Sequence, residues 1–493
     1  MHVGMIIEMA SENLADRVAI GSRHDGLTFG ELGHRARRVA TWLAAHGCST
    51  VVLVDENSMA LPIALFGAAI AGKPFAPVNY RLADDRLRAI VARTAPAVVI
   101  AGAGVAVRLA GLDDVEVIER DAFLAVSADE SVREADGWGC DPDSIAVLLF
   151  TSGTTGDPKA AVLRHKNLGS YVMAQEFASA DEDEAALVSV PPYHIASVSS
   201  VLSTAYIGRR VVQLGGFDPK RWVAAARDEN ITNAMVVPTM LNRILDVVDT
   251  DGEGLPALRS LAYGGGPMPL QVVQRAMELL PHVDLVNAYG LTETSSTISV
   301  LGPDDHRVAF YSDDPAWKAR LGSVGQPLPG VEVDIRDGII WVRGDQVSGE
   351  YKGVDNGLSD GWFNTRDAGY LDDEGYLFVQ GRVDDVIVRG GENLSPGEIE
   401  AVLLEHAAVE AAAVVGIPDV EWGEKVVAAV VRAADCTEDE LRDHVRVALR
   451  SARTPERIKF VDELPFNETG KLLRRVLRDD LAADFLSSEW GRR

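Results

Sequence analysis

At 493 residues the chain is long enough for roughly two to four domains, and its 47% hydrophobic and 25% charged residues are those of an ordinary soluble globular protein. Lys and Arg total 47 against 74 Asp and Glu, a formal net charge of -27, which disfavours nucleic acid and anionic membrane as partners. The three cysteines, Cys48, Cys140 and Cys436, are too far apart for a disulfide framework or a zinc cluster. No basic stretch followed by a long apolar one opens the sequence, and the longest apolar run, residues 61–71, is too short to span a bilayer. A cytoplasmic protein is expected.

The first part of the chain alternates helical and strand-like patterns. Thr28 and Glu31 have capping-box spacing and open an amphipathic stretch with Leu32, Ala36, Val39, Leu43 and Ala44 on its apolar side. Residues 51–54 read as a strand, 59–71 as a helix closed by Gly72-Lys73-Pro74, and 97–100 and 145–150 as further strands. The same rhythm returns at 186–190, 210–214, 234–237 and 283–287, and strands spaced by helices predict parallel or mixed α/β sheets. From Gly322 the texture changes. Short strands at 331–335, 338–342 and 376–379, separated by Gly, Pro and Asp turns, suit a small barrel or an antiparallel subdomain. Gly381-Arg382-Val383-Asp384-Asp385 is the expected major boundary, dividing residues 1–383 from a compact α+β unit, 384–493. In that unit Ser395 and Glu398 have capping-box spacing around Pro396, and the helix that follows buries Ile399, Val402 and Leu403. Strands at 411–415 and 425–431 come next, then a second helix capped by Thr437 and Glu440.

The most informative stretch is Thr151-Ser152-Gly153-Thr154-Thr155-Gly156-Asp157-Pro158-Lys159, directly after the strand at 145–150. Its two glycines let the backbone turn N–H groups towards an anion, while four hydroxyls and an ammonium supply further donors. The spacing is not that of the P-loop, because Lys159 comes three residues after Gly156 and no Ser or Thr follows it. Such a loop also serves as a plain turn between strands, so its companions decide its meaning.

Those companions are Asn287-Ala288-Tyr289-Gly290-Leu291-Thr292-Glu293-Thr294, Thr365-Arg366-Asp367, Gly381-Arg382 and Thr469-Gly470-Lys471. With them the chain resembles the adenylate-forming superfamily from about Leu27 to Lys471, the motifs standing in the family's order. That superfamily holds acyl-CoA synthetases, the adenylation domains of peptide synthetases and the beetle luciferases. The resemblance implies an α/β fold: a large N-terminal portion of two sheet subdomains plus a small β-barrel, followed by a smaller mobile α+β domain. It also implies formation of an acyl-adenylate from a carboxylate and ATP, with Mg²⁺ and coenzyme A as further participants.

Carried over residue by residue, the resemblance makes Thr151, Ser152, Gly153, Thr154, Thr155 and Gly156 a lid on the β- and γ-phosphates, with Lys159 supporting from the loop's mobile end. Asn287, Ala288, Tyr289 and Gly290 fall on the nucleotide, with Tyr289 packed on adenine; Thr292 meets the α-phosphate and Glu293 helps to hold Mg²⁺. Gly264, Gly265 and Gly266 let nucleotide and acyl group approach the backbone, and Gly266 stands where many relatives carry Ala or Glu, which leaves room. Asp367 matches the ligand of the ribose hydroxyls and Arg382 a second ribose or phosphate contact. Asp372, Asp373, Glu374 and Arg366 read as solvated turn residues.

Lys471 is the implied catalytic lysine, bridging carboxylate and α-phosphate from the second domain, and Asp384 the implied hinge. Arg389, Gly390 and Gly391 would face the CoA channel, although Val388 replaces the lysine usual in that loop. His194 resembles a gate or carboxylate neighbour near the acyl pocket, whose lining is expected from His194, Val237, Thr239, Gly265, Gly266 and Ser295. His165 and His282 belong to packing.

The expected function is a carboxylic acid:CoA ligase, AMP-forming. The pocket segments lack Arg and Lys, which favours a monocarboxylate: aryl, alicyclic, medium-chain or otherwise bulky. The alternatives are an acyl-AMP ligase loading a carrier protein, a luciferase-like oxidation, and a non-catalytic nucleotide-binding relative. Retention of Thr292, Glu293, Asp367, Arg382 and Lys471 together argues against the last.

Overall fold

The computed structural model describes residues 1–137, 139, 141–151, 158–174, 179–353, 357–449, 453–466 and 472–486. Ser152, Gly153, Thr154, Thr155, Gly156 and Lys471 lie outside the described residues, as does Cys140.

Among the described residues the chain forms four sheets. The largest has six parallel strands at its centre, in the order Asp284–Leu291, Ser260–Gly264, Asn233–Val236, Ala185–Val188, Arg210–Gln213 and Val18–Ile20. Antiparallel strands Ser296–Leu301 and Gln326–Pro327 extend one edge, and Leu27–Thr28 the other. A second sheet runs Ile145–Thr151, Phe75–Pro77, Thr50–Val54, Ala97–Ala101 and Val115–Glu119 in parallel. Lys159–Arg164 and then Glu350–Tyr351 are added to it antiparallel. The strands bury apolar residues on both faces, which is why they read as continuous Val, Ile, Leu and Ala runs rather than alternating ones.

Of the connecting helices, those packed between the two sheets share one core. Phe29–Ala45 carries the Thr28–Glu31 capping box and buries Phe29, Leu32, Gly33, Ala36, Val39, Ala40 and Leu43. Ala44, expected on that apolar side, is exposed at its margin in the last turn. The partner helix Ala60–Ile70 is buried on every side, and it approaches so closely at Gly67 that a Cβ there would lie 2.6 Å from Val39 Cγ1.

Where the sequence allowed a small barrel or an antiparallel subdomain, the pairings are those of an antiparallel sheet. Its strands are Glu332–Arg336, Ile339–Arg343, Leu358–Ser359, Trp362–Leu371 and Leu377–Arg382, the last two carrying Asp367 and Arg382. Their turn is not merely solvated. Asp372 accepts from Arg320 Nε at 3.1 Å, Glu374 lies 3.0 Å from the same guanidinium, and Arg320 is sandwiched between the Trp317 and Tyr376 rings.

After the turn Val383–Asp385, the hairpin Val409–Asp419 and Gly423–Arg432 dominates the C-terminal unit. Ile387–Arg389 and Glu392–Leu394 form a second hairpin beside it, and helices Pro396–Leu404, Glu438–Leu449 and Arg474–Leu486 flank the sheet. Ile399, Val402 and Leu403 are buried as expected, and Thr437 and Glu440 make the reciprocal cap, at 2.8 and 3.2 Å. Ser395 does not cap its helix. Its hydroxyl donates to the Gln380 carbonyl at 2.8 Å, and Glu398 pairs with Arg453, so tertiary partners outcompete the local box.

His165 belongs to packing, as the sequence suggested. It stacks on His2 with centroids 3.6 Å apart, and each Nδ1 accepts a backbone N–H, from Val3 and Gly4. Burial pushes His2 down to about 4 and His165 to about 3. Both therefore take up a proton more readily unfolded than folded. Their stabilisation is full above the unfolded value of about 6.5 and is lost as pH falls below it. Taking the protein from pH 7.5 to pH 5 should cost about 2 kcal/mol for each histidine, with further loss towards pH 4. Denaturant midpoints of wild type and of the His2→Phe, His165→Phe double variant, followed against pH, should diverge below neutrality; parallel curves would remove the pair from the acid response.

Candidate active site

Strand Asp284–Leu291 leads straight into the site. Tyr289, Gly290 and Leu291 belong to that strand, not to a turn after it, and the 3-10 turn Thr292–Thr294 reverses the chain into Ser296–Leu301. The reversal is tight enough to forbid a side chain at Gly290, where a Cβ would lie 1.8 Å from the Ser296 carbonyl oxygen. Ser295 and Ser296 absorb the bend with φ of 59° and 109°, conformations rare for L side chains and typical of functional turns. The Thr294 hydroxyl closes the turn, accepting from the Leu291 amide at 2.9 Å and donating to the Ser296 carbonyl at 2.8 Å. Thr292 and Glu293 are thus fixed at the carboxyl end of a parallel strand, where an α/β sheet opens its ligand crevice.

Asp367 is held from two sides. The Tyr289 hydroxyl donates to Oδ2 at 2.6 Å, and Arg382 Nη1 donates to Oδ1 at 3.0 Å and to the Thr365 carbonyl at 2.9 Å. Asp367 and Arg382 face each other in register across two antiparallel strands, next to a bulge at which Arg366 takes φ of 60°. Asp367 is only 6% exposed, and the Thr365 hydroxyl receives its amide at 3.1 Å. Burial, and next the Asp367 charge, hold the Tyr289 phenol well above its ordinary value, so it stays a donor. Behind it, Asn287 Nδ2 donates to the Ser323 carbonyl at 2.9 Å.

Glu293 is buried too. Its carbonyl accepts from the amides of Ser348 at 2.8 Å and Gly349 at 3.2 Å, and its Oε1 accepts from the Tyr351 hydroxyl. Lys159 opens the strand Lys159–Arg164. It pairs in register with Thr151, and its ammonium lies 5.7 Å from the Tyr351 ring centroid. Thr151 and Lys159, the ends of the segment expected to cover the phosphates, therefore both lie on the second sheet, and Tyr351 stands between Lys159 and Glu293.

On the acyl side, His194 caps helix Ile195–Ile207, its Nδ1 accepting from the Ala196 amide at 3.1 Å. That bond leaves the proton of a neutral ring on Nε2, which suits a gate better than a base. Val237 precedes helix Pro238–Asp251, which carries Thr239 in its first turn. Gly265 takes φ of 81°, which favours glycine, and a Cβ there would make only an ordinary contact with Val237 Cγ1 at 3.6 Å. Around Gly266 the nearest atom to such a Cβ is Pro238 Cγ at 3.9 Å, an ordinary contact, so packing does not demand glycine there. Gly264 is different: a Cβ would lie 2.2 Å from the Ala288 carbonyl, so close strand packing alone requires glycine there. The Ser295 hydroxyl donates to the Gln346 carbonyl, and Ser199 meets Ser296 at 3.2 Å across the same floor.

In the C-terminal unit, Asp384 lies in the turn Val383–Asp385, 3.6 Å from Arg366. Arg389, Gly390 and Gly391 form the tip of a hairpin, the glycines with φ of 57° and 86°. Arg389 donates to Glu456 and lies over Trp422. Phe466 and Leu472, on either side of Lys471 in the sequence, form an isolated antiparallel bridge.

Sequence reasoning missed Gln346, Ser348 and Tyr351 and gave Thr365 no role of its own, yet all four hold the site. Glu350–Tyr351 is a two-residue strand without periodicity, and Gly349 is the one local cue.

With this geometry in view, comparison with known proteins is direct. Residues 7–352 match the family of AMP-binding enzymes, and residues 398–471 its C-terminal domain. A 2-succinylbenzoate–CoA ligase of Bacillus licheniformis is 31% identical over 96% of this chain and 98% of its own. A feruloyl-CoA synthase of Amycolatopsis is 34% identical over 93% of this chain and 95% of its own. The o-succinylbenzoate CoA synthetase of Bacillus subtilis, solved with its acyl-adenylate intermediate, superposes with a TM-score of 0.84 at 27% identity, over 96% of this chain and 98% of that one. The same enzyme has been solved with ATP and a magnesium ion. Family match, near-complete coverage and the paired Asp367 and Glu293 clusters agree: the chain belongs to the AMP-binding enzyme family.

Proposed function

We propose that the chain is a carboxylic acid:CoA ligase, AMP-forming, acting on an aryl or otherwise bulky monocarboxylic acid. The observation that carries this reading is the buried carboxylate of Asp367, one oxygen on Tyr289 and the other on Arg382, beside the fixed Thr292–Glu293 turn. Among the described residues no helix is long and apolar enough to cross a membrane, which fits a cytoplasmic enzyme.

A carboxylate is a poor acyl donor because its leaving group would be oxide. Attack of one of its oxygens on the α-phosphorus of ATP expels pyrophosphate and leaves an acyl-adenylate. The CoA thiol then forms the thioester at the acyl carbon, and AMP departs with the electron pair of the broken bond. The demands on the protein are positioning and charge stabilisation. Asp367 accepts from the ribose hydroxyls, Arg382 stands beside it as a second donor, Thr292 meets the α-phosphate, and the loop from Thr151 to Lys159 covers the outer phosphates. Glu293 would hold magnesium. Its carboxylate is buried and has no Lys, Arg or His partner among the described residues, the environment a hard cation relieves. Bound there, magnesium would neutralise phosphate charge.

The acyl group lies over Gly266 between His194, Val237, Thr239, Gly265 and Ser295. The names of the aryl-acid relatives, and a glycine at position 266 that packing does not demand, support a bulky, aromatic acid. The unit from Asp384 onwards swings about that residue, bringing Lys471 in for adenylation and Arg389, Gly390 and Gly391 in for thioester formation.

Exchange of labelled pyrophosphate into ATP, screened over aryl, alicyclic, medium-chain and short dicarboxylic acids with CoA or carrier protein as acceptor, tests the reading. Aryl acids with CoA should turn over fastest, and preference for short diacids would refute the pocket assignment. Lys471→Ala should lower adenylate formation at least about 100-fold and spare thioester formation from supplied adenylate; equal loss in both halves would deny the lysine its role. Asp367→Ala removes two charge-assisted contacts and should raise the KM for ATP about 10- to 100-fold, leaving the KM for the acid nearly unchanged.

A further inference from the structure

Tyr351 is not among the residues the ligase reading uses, yet it touches both charged ends of the phosphate site. Its hydroxyl donates to Glu293 Oε1, and its ring faces the Lys159 ammonium, 5.7 Å from the centroid. Its own placement is rigid for so short a strand. Tyr351 pairs in register with Ala161, and its neighbour Glu350 is clamped bidentately by Arg164, at 2.9 and 2.8 Å. The Ser348 hydroxyl donates to the Val162 carbonyl, while the Ser348 and Gly349 amides hold the Glu293 carbonyl.

A carboxylate that must meet a hard cation needs its rotamer fixed by a partner that leaves one oxygen open. A neutral phenol meets that need better than an ammonium, which would form an ion pair with the carboxylate and cancel the charge the cation requires. The ring does a second task. By attracting the Lys159 ammonium to its face, it keeps that charge on the phosphate loop and off Glu293. Among the described residues Lys159 makes no ion pair with any carboxylate, and Glu293 makes none with any cation.

We propose that Tyr351 is a positioning residue for magnesium-bound ATP: it orients the Glu293 carboxylate towards the cation and separates it from Lys159. This rests on the ligase reading, within which no role for Tyr351 has been assigned. The orientation acts through Glu293, so its effect must follow the metal rather than the nucleotide alone.

The test compares wild type, Tyr351→Phe, Glu293→Gln and the double variant by calorimetric titration with ATP, once with excess Mg²⁺ and once in EDTA. Tyr351→Phe keeps the ring and should leave the melting temperature unchanged. It should weaken Mg²⁺–ATP binding about tenfold while leaving binding in EDTA unaltered. In pyrophosphate exchange it should raise the half-saturating Mg²⁺ concentration by a similar factor, with kcat at saturating Mg²⁺ within about threefold of wild type. In the Glu293→Gln background the same substitution should have no further effect, since the two changes remove one interaction. Equal weakening with and without Mg²⁺, or a full Tyr351→Phe effect without the Glu293 carboxylate, would overturn the positioning role and leave the ligase reading standing. Failure of the wild type to bind ATP under either condition would overturn both.

Discussion

The carbonyl oxygen of Glu293 accepts two amide protons, from Ser348 and Gly349, and through that oxygen the largest sheet is tied to the second. Glu293 stands at the end of a strand of the first; residues 350 and 351 form an edge strand of the other. Gln346 reinforces the join, its amide donating to the Thr294 and Thr297 carbonyls and its own carbonyl accepting from Ser295. A site assembled from two sheets that share no strand is only as well defined as the segment between them. Here the segment is short, buried and saturated with hydrogen bonds, so the phosphate-loop strands and the Thr292–Glu293 turn keep a fixed relation. That fixed relation is what electrostatic catalysis needs, because donors that had to reorganise during reaction would forfeit most of their effect.

The chain's large negative charge is handled locally. Asp367 and Glu293 are both buried, and each has an oxygen on a tyrosine hydroxyl. Only Asp367 also has an arginine. The contrast fits their proposed ligands. A carboxylate meant for neutral ribose hydroxyls is stabilised by a permanent cation beside it, whereas one meant for a metal ion keeps its full charge available. Arg366, bulged out of the same strand, turns instead towards Asp384 and carries positive charge to the proposed hinge.

Much of the architecture was legible because buried parallel strands are written as unbroken apolar runs, and the boundaries read from Val51, Ala97, Ile145 and Arg210 needed shifts of a residue or so. Local boxes at Thr28 and Thr437 formed as written, since nothing distant competes for their hydroxyls. Ser395 failed the same test because the Gln380 carbonyl lies within its reach. Asp372 looked like any acid in a turn until Arg320, far off in sequence, was seen stacked between Trp317 and Tyr376. Within the site, glycines and the strand-end acids were readable from motif and spacing. Tyr351 was not. Its importance comes from edge addition to a strand that lies almost two hundred positions earlier, and no periodicity records such a pairing.

The C-terminal unit adds a geometric argument about reach. Arg474, three positions after Lys471, is half-buried, its guanidinium donating bidentately to Glu400 at 2.6 and 2.8 Å and to the Val414 carbonyl at 2.7 Å. It also lies 3.4 Å from Asp385, the residue after the proposed hinge. The chain just after Lys471 is thus anchored to the strand and helix of its own unit and to the very turn about which that unit would rotate. A flexible cation on a loose tail would search a large volume and lose entropy whenever it engaged. Under the proposed hinge, the segment bearing Lys471 would travel with the unit, and a change of backbone angle at Asp384 would deliver or withdraw its charge. Arg366 meets Asp384 from the large unit in the present pose. Rotation at the proposed hinge would break that surface contact, which at its exposure is worth little, so it would set only a small free-energy difference between the two proposed poses.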